Sequence, residues 1–437
     1  MTTTSDAPTA ADAAGGTVSA ADVVRPSSVL RLHPLTTTPQ GDRVVVGNPA
    51  TGRFVALPEV GARALALLGA GRTVAEVERA VTPRDAAEPV DVLAFARSLV
   101  GLGFVASVDE ADVRAQAPQD RPGRGWVVAP RARARWLFGR TAAVLAALAA
   151  VVAVGVMLTV DRVRPDALDV FFLPSAAQSL AVVTLATYVL AGLHELAHVL
   201  AAAALGVPAR LRITRRLYFL TFETNLTGLW ALPPRRRVGP LLAGMGFDAL
   251  VLLAALLLRV AGVGPDAFLA AVVVVELSAL VVQLFVFLRS DVYAVMTALL
   301  GCTVLDRTTR LLLRRTVRRL SPAQQDELAA TPARDLAVAR WYRWVHVAGY
   351  AVAAWFFVAF FVPSTWHLLV WVRDAVAVHG PATWPFWEAL LLGAVLLSPR
   401  VVTGVVALRD LAGRHRVRAA RARPARRRAR RAAAAAR

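Results

Sequence analysis

The 437-residue chain contains no lysine and only one cysteine, Cys302. A single thiol excludes an intrachain disulfide and any zinc site built from cysteines. All 50 basic residues are arginine, against 30 acids, giving a formal net charge of +20. The N-terminus lacks the apolar core of a cleavable signal: residues 1–21 are polar and rich in Thr, Ala and Asp. No segment repeats at a fixed period, which argues against transporters built from paired or inverted repeats. Polarity itself is scarce. The chain is 57% hydrophobic with mean hydropathy +0.53. That is too apolar for an ordinary soluble protein and suits a polytopic membrane protein carrying a soluble appendage.

Along the chain the composition changes four times. Residues 1–24 read as a disordered leader of small and polar residues. Residues 25–110 read as a small soluble α+β domain. Val44-Val-Val46, a turn over Asn48–Gly52 and Phe54–Leu57 predict a hairpin. A helix over Val60–Leu68 should end at Gly69. Thr73 and Glu76 form a capping box that opens a second helix to about Val81. Asp91 caps a third helix through Val100, stopped by Gly101 and Gly103, and Phe104-Val105 starts a last short strand. Residues 111–135 are a Pro/Arg-rich linker with Arg121, Arg124, Arg131, Arg133 and Arg135. Residues 136–408 hold about six apolar spans of membrane-crossing length. They fall at about 141–160, 177–205, 238–260, 268–288, 344–362 and 386–408. The stretch after Pro363, with Trp366 and Trp371, reads as interfacial, and Pro399-Arg400 as an interruption of the sixth span. Residues 206–237 read as a polar loop. Arg307, Arg310, Arg314, Arg315, Arg318 and Arg319 lie on an expected surface helix. Residues 409–437 form an arginine-rich tail. The expected fold is thus mainly α: a polytopic helical membrane bundle with a small α+β N-terminal domain.

One stretch interrupts this apolar pattern with chemistry. Ala191-Gly-Leu-His-Glu-Leu-Ala-His-Val-Leu200 places His194, Glu195 and His198 inside the second span. On a helix the two histidines are one turn apart and can grip one Zn²⁺. Glu195 is placed to take a proton from a water at that metal. By composition, His-Glu-x-x-His is expected only about 0.003 times in such a chain. An ionisable group at the centre of a membrane helix costs roughly 2.5–3.5 kcal/mol, so three within five residues need a partner.

Loop charges provide an independent topology. Residues 161–176 hold two Arg and three Asp, and residues 261–267 one Asp and no Arg. Residues 206–237 hold seven Arg and one acid, residues 289–340 nine Arg and five acids, and the tail from Arg414 eleven Arg and no acid. Rich and poor loops alternate as six spans with both termini in the cytoplasm require. The tail reads as an arginine cluster on anionic lipid headgroups rather than as a nucleic-acid arm. His194 and His198 then lie in the cytoplasmic half of their span.

A catalytic zinc wants three protein ligands and one open position. The remaining histidines lie in soluble segments or outside that half of the bundle, which leaves Asp248, Glu276, Asp291 and Glu223. Depth favours Asp248, about 10 residues or roughly 15 Å into its span. Asp291 is too shallow unless the fourth span breaks and re-enters.

Two resemblances extend this reading. The hairpin, the Gly71-Arg-Thr-Val-Ala-Glu-Val77 helix and the closing helix resemble the PqqD-like fold, which implies a winged-helix-like cytoplasmic domain. That resemblance implies a domain in which a leader peptide adds to a sheet edge. His194-Glu-Leu-Ala-His198, Thr221–Trp230 and Pro233–Gly244 resemble the site-2 protease family of intramembrane zinc metalloproteases. The closest likeness is to relatives called peptide zinc metalloproteases. In that family an Asp-Gly after a membrane span supplies the third ligand. Phe287-Leu-Arg-Ser-Asp291-Val-Tyr293 falls at that place, although Val292 replaces the Gly and the upstream Asn-Pro is missing. The resemblance therefore implies His194, His198 and Asp291 as zinc ligands, and Glu195 as the catalytic residue. It implies hydrolysis of a leader-bearing precursor peptide or a membrane-protein substrate at the cell membrane, in ribosomal-peptide maturation. The alternatives are a site-2 protease of regulated signalling and a non-cleaving metal-binding scaffold of a biosynthesis or export complex.

Overall fold

The computed structural model describes residues 24–40, 43–48, 51–83, 89–113, 126–128 and 138–435; beyond Gly413 only the backbone is described. The leader and most of the Pro/Arg-rich linker, with all five of its named arginines, lie outside the described residues. The chain divides into two compact units, residues 1–122 and 123–437.

The first unit contains β1 (Leu30–Leu32), β2 (Thr36–Gln40), β3 (Arg43–Asn48), β4 (Arg53–Pro58), α1 (Glu59–Gly69), α2 (Val74–Val81), α3 (Val92–Leu102), β5 (Val105–Val108) and β6 (Ala111–Asp112). Strands β2-β3-β4 form one antiparallel sheet and β1-β5-β6 another. The expected β3–β4 hairpin is present and pairs Val44 with Leu57 and Val46 with Val55. The α2 capping box is complete: Glu76 N–H donates to Thr73 Oγ1 at 3.3 Å and Thr73 N–H to the Glu76 carboxylate at 3.0 Å. Asp91 caps α3 by accepting from Ala94 N–H at 2.7 Å. The α3 helix runs through Gly101 and stops at Gly103, whose φ of 71° is open to glycine. Arg53 then donates to the Gly101 and Leu102 carbonyls left at that end. Leu30, Val46, Leu68, Val77, Leu99 and Phe104 make the buried core.

The second unit begins with β7 (Trp126–Val128) and α4 (Arg140–Thr159), followed by α5 (Ala176–Ala204), β8 (Ala209–Arg216), β9 (Phe219–Asn225), α6 (Pro234–Ala261), α7 (Asp266–Gln283), α8 (Asp291–Leu300), α9 (Leu305–Val317), α10 (Pro322–Ala329), α11 (Ala333–Phe356), α12 (Val362–Val378) and α13 (Trp384–Ala435). Among the described residues, six helical stretches are long and apolar enough to cross a membrane: α4, α5, α6, α7, the run Ala333–Val378, and Trp384–Gly413. Outward-facing Val144, Leu148, Val151 and Leu185 are exposed, as lipid-facing side chains are.

Helix α6 is the central post and packs against α4, α5, α7 and α8. Small residues allow the approach: Ala149 and Ala153 of α4 and Ala255 of α6 are all buried. A buried arginine fixes each end of α6. Arg237 donates to the Leu232 and Trp230 carbonyls and lies over the Trp230 ring. Arg259 donates to the Val163 and Arg162 carbonyls and pairs with Asp266. All three nitrogens of the Arg259 guanidinium are bonded, as are Nε and Nη2 of Arg237, which burial favours.

Five expectations need correction. Residues 206–237 are no loop: β8 and β9 form an antiparallel hairpin with β7 on the β8 side, and α6 already starts at Pro234. The fourth span ends at Gln283 rather than near Leu288. The surface helix α9 stops at Val317, so Arg318 and Arg319 fall outside it. The fifth helix starts at Ala333 and does not end before Pro363. A π-helical turn, Phe357–Phe361, precedes the proline and the helix continues to Val378, carrying Trp366 and Trp371. The sixth helix is unbroken at Pro399. The Val395 carbonyl, deprived of a proline N–H, accepts from the Ser398 hydroxyl at 2.9 Å instead.

Candidate metal centre

Helix α5 brings His194 and His198 together by periodicity alone. Their Nε2 atoms are 3.2 Å apart, and both side chains are buried. Asp291 arrives differently. Helix α7 ends at Gln283, and a short 3-10 turn, Val286–Leu288, follows. Arg289 takes a left-handed φ of 60°, and Asp291 opens α8. The break is clasped from several sides. Ser290 Oγ–H donates to the Gln283 carbonyl at 2.6 Å, and Asp291 N–H donates to the Gln283 side-chain oxygen at 3.1 Å. Tyr342 O–H donates to the Val286 carbonyl at 3.0 Å. Phe287 fills a notch at Gly349, where a Cβ would come within 2.2 Å of its ring.

The break sets Asp291 Oδ2 3.0 Å from His194 Nε2 and 3.0 Å from His198 Nε2. The three atoms form a triangle with edges of 3.0, 3.0 and 3.2 Å. A tetrahedral ion with bonds of 2.0–2.1 Å would set its ligands about 3.3–3.4 Å apart. The observed edges are close to that and no shorter than ordinary polar contacts.

The groups behind the imidazoles decide what the triangle can hold. His198 Nδ1 lies 2.7 Å from the Pro240 carbonyl, which can only accept, so Nδ1 carries the proton and donates. His194 Nδ1 donates to Asp248 Oδ2 at 2.8 Å. Neutral imidazoles with Nδ1 protonated present bare Nε2 lone pairs. With both rings in that neutral form, two lone pairs and a carboxylate oxygen face one point, where a cation would hold them together. Imidazole backed by carboxylate or carbonyl is the usual outer layer of a metal-ligating histidine. His194, His198 and Asp291 are the one such cluster among the described residues.

Helix α6 supplies this backing from a single face. Pro240, Gly244 and Asp248 are spaced by four, and α6 runs antiparallel to α5, so Pro240 meets His198 and Asp248 meets His194. Between them Gly244 leaves room for the imidazole: a Cβ there would sit 2.4 Å from His194 Nε2.

The other candidates fall elsewhere. Asp248 backs His194 rather than joining the triangle. Glu223 pairs with Arg212 at 3.0 Å on the hairpin. Glu276 is 1% exposed, with no hydrogen-bond partner for either carboxylate oxygen. Glu195 follows His194 on α5 and is half-buried. Its Oε2 accepts from Thr224 N–H at 2.8 Å, and its backbone carbonyl accepts from the Thr224 hydroxyl at 3.1 Å.

Pro240, Gly244, Gln283, Ser290 and Thr224 escaped the sequence reading. The four-residue spacing of Pro240, Gly244 and Asp248 could have placed those three on one face. Nothing local marks Gln283 or Thr224. No protein-family model, curated protein or solved structure matches this chain.

Proposed function

We propose that the chain is a zinc-dependent intramembrane endopeptidase that cleaves a leader-bearing or membrane-associated precursor peptide. The observation that carries this reading is the convergence of His194 Nε2, His198 Nε2 and Asp291 Oδ2, with Glu195 the residue after His194 in α5. Two imidazoles and one carboxylate suit zinc and leave a coordination position open for substrate or water. When bound, the metal supplies a Lewis acid that polarises the scissile carbonyl and acidifies a water.

The chain's own residues do the rest. Asp248 and the Pro240 carbonyl hold the two imidazoles in one tautomer and orientation. Glu195 takes the proton of the attacking water and delivers it to the leaving amine. The bond broken is the peptide C–N bond, and the products are a carboxylate and an amine. A helical substrate must first unwind locally, because its carbonyls are otherwise engaged within the helix. In this reading the enzyme sits in the cell membrane with both termini cytoplasmic, as the alternation of arginine-rich loops supports. The N-terminal unit, with its two small sheets and three helices, delivers the peptide.

The test uses full-length protein in lipid nanodiscs and fluorescein-labelled β-casein, an unfolded polypeptide. Wild type should bind about one zinc per chain and release peptides, and chelation should stop the reaction. Glu195→Gln should keep zinc and lose hydrolysis. A wild type that holds zinc but cleaves nothing would favour a scaffold and overturn the proteolytic reading.

A further inference from the structure

Glu195 is tied twice to a segment the proposed chemistry has not used. Strand β9 lies at one side of its sheet, in the order β7-β8-β9. Thr224 is opposite Leu211 of β8, yet its N–H donates to the Glu195 carboxylate. In an antiparallel ladder only alternate residues bond across, and Thr224 is one whose N–H points outward. Its hydroxyl reaches the Glu195 backbone carbonyl, an atom already inside α5. One residue thus grips both the helix at Glu195 and the carboxylate it carries.

We infer that Thr224 is the positioning residue for Glu195, an inference that rests on the endopeptidase reading above. The hydroxyl bond registers β9 against α5. The N–H bond then holds Oε2, leaving the other carboxylate oxygen to address water. A free glutamate has three rotatable side-chain bonds, and fixing one oxygen removes most of that freedom before substrate arrives. The polar hairpin lodged among the spans thereby becomes part of the site.

Three variants separate the two bonds. Thr224→Ser keeps both. Thr224→Val loses the hydroxyl bond. Thr224→Pro also loses the N–H bond without removing a ladder bond, because proline is tolerated where an edge strand's N–H faces away from its neighbour. General base catalysis contributes about 10²–10⁴-fold, so misaiming the base forfeits part of that. With β-casein, Ser should match wild type, Val should lower kcat about tenfold and Pro at least about 100-fold, with KM and zinc content unchanged. Should the proline variant lose zinc, the Val and Ser pair decides. A second readout needs no substrate. Glu195→Ala should speed hydrogen exchange at the Thr224 amide about tenfold or more while the rest of β9 stays protected. The inference is overturned if Thr224→Val and Thr224→Ser behave alike, or if Thr224→Pro keeps zinc and full kcat. An unchanged Thr224 exchange rate in Glu195→Ala would overturn it too. If wild type leaves casein intact, the endopeptidase reading fails, and the exchange experiment still judges the Thr224 contact.

Discussion

Helix α5 delivers two imidazoles by being regular, whereas the α7–α8 junction delivers Asp291 by breaking. In α5 the spacing of four residues does all the work, and the geometry survives any background that stays helical. At the junction a terminated helix, a 3-10 turn, a left-handed arginine and a side-chain clasp must all agree. The two regions should therefore differ in how they fail. Substitutions on α5 act through the lost ligand itself. Those around the junction act through its placement.

The largest effect comes from removing ligands on either side. His194→Ala, His198→Ala and Asp291→Ala should each lose stoichiometric zinc, read by elemental analysis of purified protein, and reduce peptide release to background. Asp248→Asn sharpens the contrast, because it strips the backing of a ligand and not the ligand. Its zinc affinity should fall about 10–100-fold, measured by competition with a chelator. An Asp248 variant as empty as Asp291→Ala would exchange their roles.

Gly244→Ala comes next. The added methyl meets the His194 ring at a distance no relaxed contact allows. Overpacking of this kind costs about 1–3 kcal/mol and here should displace a ligand, giving weaker zinc binding in a folded protein. Gln283→Leu tests the clasp. It removes one acceptor for Asp291 N–H, worth about 1 kcal/mol, so zinc affinity should drop several-fold while His194 and His198 stay in register.

The smallest effect on the centre should come from the other unit. Thr73→Ala breaks the α2 capping box and should cost about 1 kcal/mol of that unit's stability, read by limited proteolysis of the full chain, without changing zinc content. The same box has a pH signature. The backbone N–H and hydroxyl of Thr73 hold the Glu76 carboxyl below its ordinary value of 4.5. The folded form thus binds fewer protons, so this contribution is complete at neutral pH. It fades as acidification passes below 4.5 through the folded value.

What was legible in the sequence follows the same division. Regular elements could be read: the apolar spans, the His194/His198 face, the Thr73 and Asp91 caps and the β3–β4 hairpin each obey one local rule. Asp291 was reachable through resemblance, while depth alone pointed to Asp248, because depth presumes an unbroken fourth helix. The prolines misled in the opposite direction. Pro363 and Pro399 signal breaks, yet a π turn and the Ser398 hydroxyl keep those helices running. The β8–β9 hairpin escaped notice because seven arginines between two apolar spans outweighed its short alternating strands. The broken fourth span and the hairpin, unlike the prolines, are segments with distant partners: Tyr342 O–H on the Val286 carbonyl at the break, and Tyr218 O–H on the Ala353 carbonyl at the hairpin tip.

The central claim is that imidazoles from one helix and a carboxylate from a broken one share an ion. X-ray absorption at the zinc edge of the full-length protein in lipid, compared with Asp291→Asn and Asp248→Asn, addresses it directly. The expected wild-type spectrum has two imidazole nitrogens and one carboxylate oxygen at about 2.0–2.1 Å, with the oxygen lost only in Asp291→Asn. A spectrum with fewer than two imidazoles, or one that Asp291→Asn leaves unchanged, would contradict it.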